Sequence, residues 1–367
     1  MRRTRKILVV VLINIVLTVL LFLTVEGFSS VVVVVRQTFF SNLLEERKHT
    51  QYDQEIGWVN IPGLYLENMY GPGKSFRTNS MAFRSNHELA PVPPAGKVRL
   101  VCSGDSFTMG YGVDTDAGWC QLLESIDSRI EPVNLGQGGY GVDQAYLWYK
   151  RNSPRLQHGI HVFAFITDDF LRMESDNFSG YGRPVMKVEN GVLVQKNRPV
   201  PKLSYSIPRL PAIRAGVSNL SVVKLLHMFR GNTPPSPGKT EATERHKTQL
   251  DEQTREVALK IFEDLQKTNE SKNSALVLVY LPQRSDYPLG QDIGPWRQFF
   301  HEVTTDHRIP AVDLVDEIGK LSPQDAQGFF SKNGHFSEKG NRLAAQLLYK
   351  QLLAFPEIET QLRKAYK

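Results

Sequence analysis

The apolar and polar positions divide the chain into an anchor, a leader and an alternating body. From Ile7 to Val25 about 19 residues carry no charge, enough to span roughly 28 Å as a helix, and this predicts a transmembrane segment. Ser29 to Val35 is a second, valine-rich run, expected to pack as a strand or membrane-proximal segment rather than to lengthen the helix. Farther on, short apolar runs with a β-branched bias recur at Val98–Cys102, Pro132–Leu135, Val162–Ile166, Ala275–Leu281 and Ile309–Leu314, each the length of a core strand. Helical patterns lie between and after them: a stretch from Thr115 onward, Glu256 to Gln266, Trp296 to Val303, and a last helix with Leu343, Leu347, Leu348 and Leu352 on one stripe. Strands alternating with helices predict a parallel sheet with right-handed crossovers.

Where those strands end, the chain carries residues with chemical potential. Ser103-Gly104-Asp105-Ser106-Phe107-Thr108-Met109-Gly110 follows the first strand, so the Ser106 hydroxyl sits at a sheet edge beside amides not yet used by a helix, where an oxyanion can be held. On three residues alone, Gly-Asp-Ser also reads as a turn with a helix cap. Pro132 to Gly141 is a brief strand running into a loop with four glycines, which lets amides point inward. It lacks the Gly-Lys-Ser/Thr ending of a phosphate loop and the spacing of a dinucleotide fingerprint. The strand Val162–Ile166 ends in Thr167-Asp168-Asp169, and Phe329 to Ser337 places His335 on a loop before the last helix.

In this order, these four runs resemble the blocks of the SGNH (GDSL-type) hydrolases, over about Val98 to Phe355. The resemblance implies a three-layer, flavodoxin-like α/β fold with Ser106 as nucleophile and His335 as base. It puts Ser106, Gly139 and the residue at 168 in the oxyanion hole, with Asp105 and Asp169 supporting. Two positions depart from the pattern. Asp168 stands where the family has an amide-donating Asn, and a carboxylate facing an oxyanion would raise the barrier where one lost donor is worth about 3 kcal/mol. Either burial beside Asp169 protonates Asp168, or it turns away and the amides of Ser106 and Gly139 suffice. The orienting Asp, two or three positions before the His in the family, is replaced by Asn333 and Lys332. Asn333 can accept from Nδ1 but cannot stabilise an imidazolium by charge, and Asp316, Asp325 and Glu338 are distant substitutes.

Residues 52–88 resemble the leader that precedes membrane-anchored SGNH domains, which ends Asn-x-x-Gly-Phe-Arg; here it reads Asn79-Ser80-Met81-Ala82-Phe83-Arg84. Trp58, Pro62, Phe76 and Phe83 are spaced to cover one edge of the body, and Arg84 reads as a surface salt-bridge partner. Residues 91–96 read as a linker. An insertion of about 171–252 contains a hairpin, 185–188 and 191–194 with Glu189-Asn190 at the turn, and a Pro-rich stretch at 232–238. It is a candidate lid or substrate surface, or else an ornament covering apolar surface. The resulting organisation is 1–28 basic tail and anchor, 29–96 leader, 97–357 body and 358–367 tail.

Composition bounds the partners. With 44 Lys and Arg against 38 Asp and Glu, the net charge of +6 is not gathered in one run, and no basic-aromatic module points to nucleic acid. No His/Cys/carboxylate group has metal-ligand spacing, so no metal and no cofactor are expected. Cys102 and Cys120 could pair outside the cytoplasm, but the preferred reading is two buried thiols. Arg2, Arg3, Arg5 and Lys6 predict a cytoplasmic N-terminus and, in a bacterium, a single pass of the inner membrane with a periplasmic body. The expectation is thus a membrane-anchored serine esterase or acyltransferase acting on O-acyl esters. By resemblance, its substrate is cell-surface polysaccharide and its partners are envelope polysaccharide assembly proteins. The rival is a weak or inactive SGNH-like domain that binds glycan or scaffolds an assembly complex.

Overall fold

The computed structural model describes residues 2–40, 48–179, 181–201, 251–286, 294–322, 326 and 328–364. They fall into two units. In the first, α1 (Arg2–Phe40) is one continuous helix, so Ser29–Val35 extends the helix instead of forming a strand. Within α1, Val9–Val32 is long and apolar enough to cross a membrane, and its leucines and valines are exposed around the helix, as suits an apolar surrounding.

The second unit is built on five parallel strands. In chain order these elements are β1 (Val98–Ser103), α2 (Ser106–Met109), α3 (Trp119–Ile126), β2 (Ile130–Asn134), α4 (Val142–Asn152), β3 (Ile160–Phe165), α5 (Thr167–Met173), α6 (Glu252–Ser271), β4 (Ala275–Tyr280), α7 (Pro295–Asp306), β5 (Ala311–Asp313), α8 (Leu314–Gly319), α9 (Glu338–Leu352) and α10 (Pro356–Lys364). The sheet order is β2-β1-β3-β4-β5, the flavodoxin-like order, whose switch point lies between β1 and β3. All four strand pairs are parallel. Alternate side chains feed two cores. Val101, Phe163 and Phe165 face α4, α6 and α7, while Leu100, Cys102, Val162 and Ala164 face α3, α8, α9 and α10. This is the three-layer α/β architecture.

Several local expectations change. Residues 356–364 form a helix with Ile358 and Leu362 in the core, where a tail is expected from 358 on. The hairpin pairs Met186–Glu189 with Val192–Gln195. Its turn is Asn190-Gly191, one residue later than expected, because both have positive φ (51° and 75°), as a tight hairpin turn requires. The leader belongs to the same compact unit from His49 on, with Ile56, Trp58, Val59, Ala82 and Phe83 in the core. The Pro-rich stretch 232–238 and most of the insertion lie outside the described residues.

Cys102 and Cys120 are joined in a disulfide, which corrects the expectation of two thiols. Cys102 faces α3 from β1, and Cys120 lies on the first turn of α3 facing back, in the same core. The bond closes a sequence separation of 18, for which chain entropy gives about 3 kcal/mol. Replacing both cysteines with Ala is therefore expected to lower the unfolding free energy by about 3 kcal/mol, read as an earlier urea midpoint.

Candidate active site

At the C-terminal edge of β1 the chain must turn at once from a buried strand into a helix. Gly104 permits this, because a Cβ there would lie 2.4 Å from the Ala164 carbonyl of β3. Asp105 then caps α2, accepting from the Phe107 amide at 2.8 Å. Gly110, at φ +82°, closes the helix after one turn. Ser106 is thereby the first helical residue, and its own amide donates to nothing among the described residues.

Opposite it, His335 Nε2 lies 2.9 Å from Ser106 Oγ. Serine and histidine, 229 positions apart, are thus brought into hydrogen-bond contact. The imidazole packs between Phe107 and Tyr111, with ring centroids at 4.8 and 4.6 Å. Burial is the main reason its pKa falls from 6.5 to about 4, with Asp105 pulling upward and Arg172 downward.

Asn333 does not orient this ring. Its Oδ1 accepts from Ser331 Oγ and from the His335 amide at 3.3 Å, which stabilises the loop rather than the imidazole, and His335 Nδ1 has no hydrogen-bond partner among the described residues. The distant substitutes fail as well: Asp316 pairs with Arg297, Glu338 pairs with Lys74, and Asp325 lies outside the described residues. The tautomer that leaves Nε2 free to accept puts a proton on Nδ1, and that proton faces no acceptor among the described residues. An unmet buried donor costs about 1 to 3 kcal/mol. The opposite tautomer donates Nε2–H to Ser106 Oγ, whose hydroxyl then turns to Asp105 Oδ2 at 3.3 Å.

Behind the serine lies a buried charge cluster. Arg172 Nη1 reaches Asp105 Oδ2 at 3.2 Å, Asp169 and the Tyr140 carbonyl at 2.7 Å. Burial, with Asp105 next in importance, holds the Asp169 carboxyl well above the usual carboxylate range. Asp169 also accepts the Ile166 amide at 3.1 Å, closing the start of α5. Asp168 is half-buried on that first turn. The deeply buried carboxyl is therefore Asp169, which removes the premise that burial protonates Asp168. On the glycine loop, Gly139 has φ +76°, and a Cβ there would lie 2.4 Å from the Phe178 ring. Phe178, from the insertion, rests on that loop together with Trp58 of the leader, at 5.9 Å between rings. The Gly139 amide, like that of Ser106, has no acceptor among the described residues.

Sequence reasoning missed Arg172, Phe107 and Tyr111. Arg172 stands three residues after Asp169 on a helix, a spacing that brings the charges together; Phe107 lies inside the run singled out and Tyr111 just past its end. For metals, one group among the described residues has suitable spacing, His301, Asp313 and Asp316. Arg297 pairs with both of its carboxylates and already occupies the cation position.

No protein-family model matches the sequence, and no curated protein matches it. Solved structures do resemble the chain at low identity. A member of the lipolytic protein G-D-S-L family from Veillonella parvula shares 16% identity over 70% of this chain and 97% of its own, with a TM-score of 0.34. An acetyl xylan esterase shares 13% over 69% and 98%, at 0.39. A psychrotrophic esterase from Pseudoalteromonas sp. shares 12% over 70% and 98%, at 0.37.

Titration of the His335 ring followed by NMR is expected to show a midpoint near pH 4. Because the folded pKa lies below the unfolded one, this group's contribution to stability is present above about pH 6.5 and lost as pH falls through about 4.

Proposed function

We propose that this chain is a membrane-anchored, extracytoplasmic serine esterase or acyltransferase acting on O-acyl esters. The observation that carries the reading is the 2.9 Å contact between Ser106 Oγ and His335 Nε2, beside two amides that donate to nothing among the described residues. His335 Nε2 takes the hydroxyl proton as Ser106 Oγ attacks the ester carbonyl, and the carbonyl oxygen gains its charge facing the Ser106 and Gly139 amides. The imidazolium returns that proton to the departing alkoxide, leaving an acyl-serine. Water or a sugar hydroxyl then takes the acyl group by the reverse sequence. Asp168 has no part in this scheme.

Location outside the cytoplasm is supported by the apolar helix α1, with its basic N-terminal residues, and by the Cys102–Cys120 disulfide, a bond that persists in oxidising compartments. Cell-surface polysaccharide as acyl acceptor or donor, and envelope assembly proteins as partners, follow from the sequence resemblance to anchored relatives. A second reading, a slow or inactive domain that binds glycan or scaffolds an assembly, is favoured by one observation, the unpartnered Nδ1 of His335. Where a serine protease loses the acid behind its histidine, the wrong tautomer costs about 10⁴ in kcat.

A fluorophosphonate probe separates the two. Covalent labelling at Ser106 is expected, abolished in Ser106→Ala, with a rate that rises through about pH 4 and is flat at neutral pH. Absence of labelling at every pH in a folded chain overturns the hydrolase reading. Asn333→Asp is expected to change the labelling rate less than threefold, because the Asn333 side chain faces Ser331 and the His335 amide rather than Nδ1; a large gain would show that residue 333 reaches the ring.

A further inference from the structure

The leader ends in a charged residue that the proposed chemistry does not use. Arg84 is buried, with 1% of its surface exposed, which corrects its expected place in a surface salt bridge. All its side-chain hydrogen bonds go to backbone carbonyls: Nη1 to Met109 at 2.7 Å and to Gly110, and Nη2 to Val113 at 2.5 Å. Tyr70 and Phe76 face the guanidinium at 5.7 and 5.1 Å. Burying a cation with no carboxylate in hydrogen-bond contact is costly, even with Asp114 and Asp116 favouring its charge from farther off, and a need for packing would be met by an apolar side chain. Two of the carbonyls are consecutive and the third lies three residues on, so together they ask for a planar fork of donors, which a guanidinium has and an ammonium lacks.

We propose that Arg84 is a positioning residue of the Ser106 site, holding the carbonyl end of the turn that carries the nucleophile. This rests on Ser106 being that nucleophile. The path is short. The Gly110 and Tyr111 amides both donate to the Ser106 carbonyl, at 3.0 and 2.9 Å, so clamping the peptides from Met109 to Val113 fixes where Ser106 sits. The same turn carries Tyr111, whose ring lies on His335, so both partners of the 2.9 Å contact are registered to one clamped segment. Arg84 is itself fixed, its amide donating to Asn134 at 3.2 Å and its carbonyl accepting from Gln121 Nε2 at 3.0 Å. Asn134 Nδ2 in turn holds the Thr108 carbonyl at 2.7 Å.

The test uses the full chain in detergent micelles and resolves fluorophosphonate labelling into its maximal rate and its half-saturating concentration, with the fraction folded read by circular dichroism. Arg84→Gln is expected to lower the maximal rate at least tenfold while the half-saturating concentration stays within twofold. Arg84→Lys, which keeps the charge but not the fork, should fall between Gln and wild type. A purely structural Arg84 would lower the melting temperature and leave the rate per folded molecule unchanged, and that result overturns the inference. If neither variant folds, Gln121→Ala carries the test, because it releases the Arg84 carbonyl and keeps the guanidinium: a threefold or greater fall in maximal rate per folded molecule supports the proposal, and no fall overturns it. A wild-type chain that never labels overturns the nucleophile reading and this inference with it, whereas a labelling wild type with unaffected Arg84 variants overturns the inference alone.

Discussion

A helix of one turn has no interior. Every amide and carbonyl of α2 is a terminal group that the helix cannot satisfy by itself, so its position depends on neighbours that are distant in sequence. The Asp105 side chain takes the Phe107 amide, and the Asp105 carbonyl takes the Met109 amide. Asn134 takes the Thr108 carbonyl, and Arg84 takes those of Met109 and Gly110. With these engaged, the Ser106 amide is left without an acceptor among the described residues. A donor with no acceptor among the described residues is therefore what remains after the surrounding side chains have claimed their partners.

The electrostatics of the pair follow from where the charges lie. Charge near the imidazole sits on its Nε2 side, in Asp105 and Arg172, and these oppose one another. Burial then decides the outcome and leaves a weak base that is neutral at ordinary pH. Among the described residues nothing behind Nδ1 rewards protonation, so the ring is neutral over most of the pH range but gains little on accepting a proton. Asp169 shows the complementary effect on the carboxylate side. Burial, and the Asp105 carboxyl beside it, push the Asp169 carboxyl well above the usual range, with Arg172 pulling it back.

Much of this was legible in the chain. The five strands were readable because each is an apolar run bounded by turn formers, and Ser106, Gly139 and His335 because each lies just past a strand or just before a helix. Features that depend on side-chain direction were not. Asn333 was found at its position but turns toward its own loop, a choice that Ser331 and the His335 amide impose. Cys102 and Cys120 each looked like core residues, and only the packing of α3 on β1 brings them together. Ala82 gave a partial signal. It occupies the place where the resembling leader has glycine, and its φ of +65° explains why a glycine would suit that turn.

The leader is better understood as part of the site than as a spacer before it. Trp58 donates to the Gly138 carbonyl at 2.9 Å, and its own carbonyl receives the Tyr140 hydroxyl. The Asn60 amide donates to Gln137 at 2.9 Å, and the Ile56 carbonyl accepts from Gln144 at 2.8 Å. The glycine loop is thus braced by the first half of the leader, and the Ser106 turn is clamped by Arg84 farther along it. A body cut at residue 97 would keep all five strands of the sheet and both Ser106 and His335. It would lose the groups that hold the Ser106 turn and the glycine loop in place, so the geometry around Ser106 and the five-strand fold are separable.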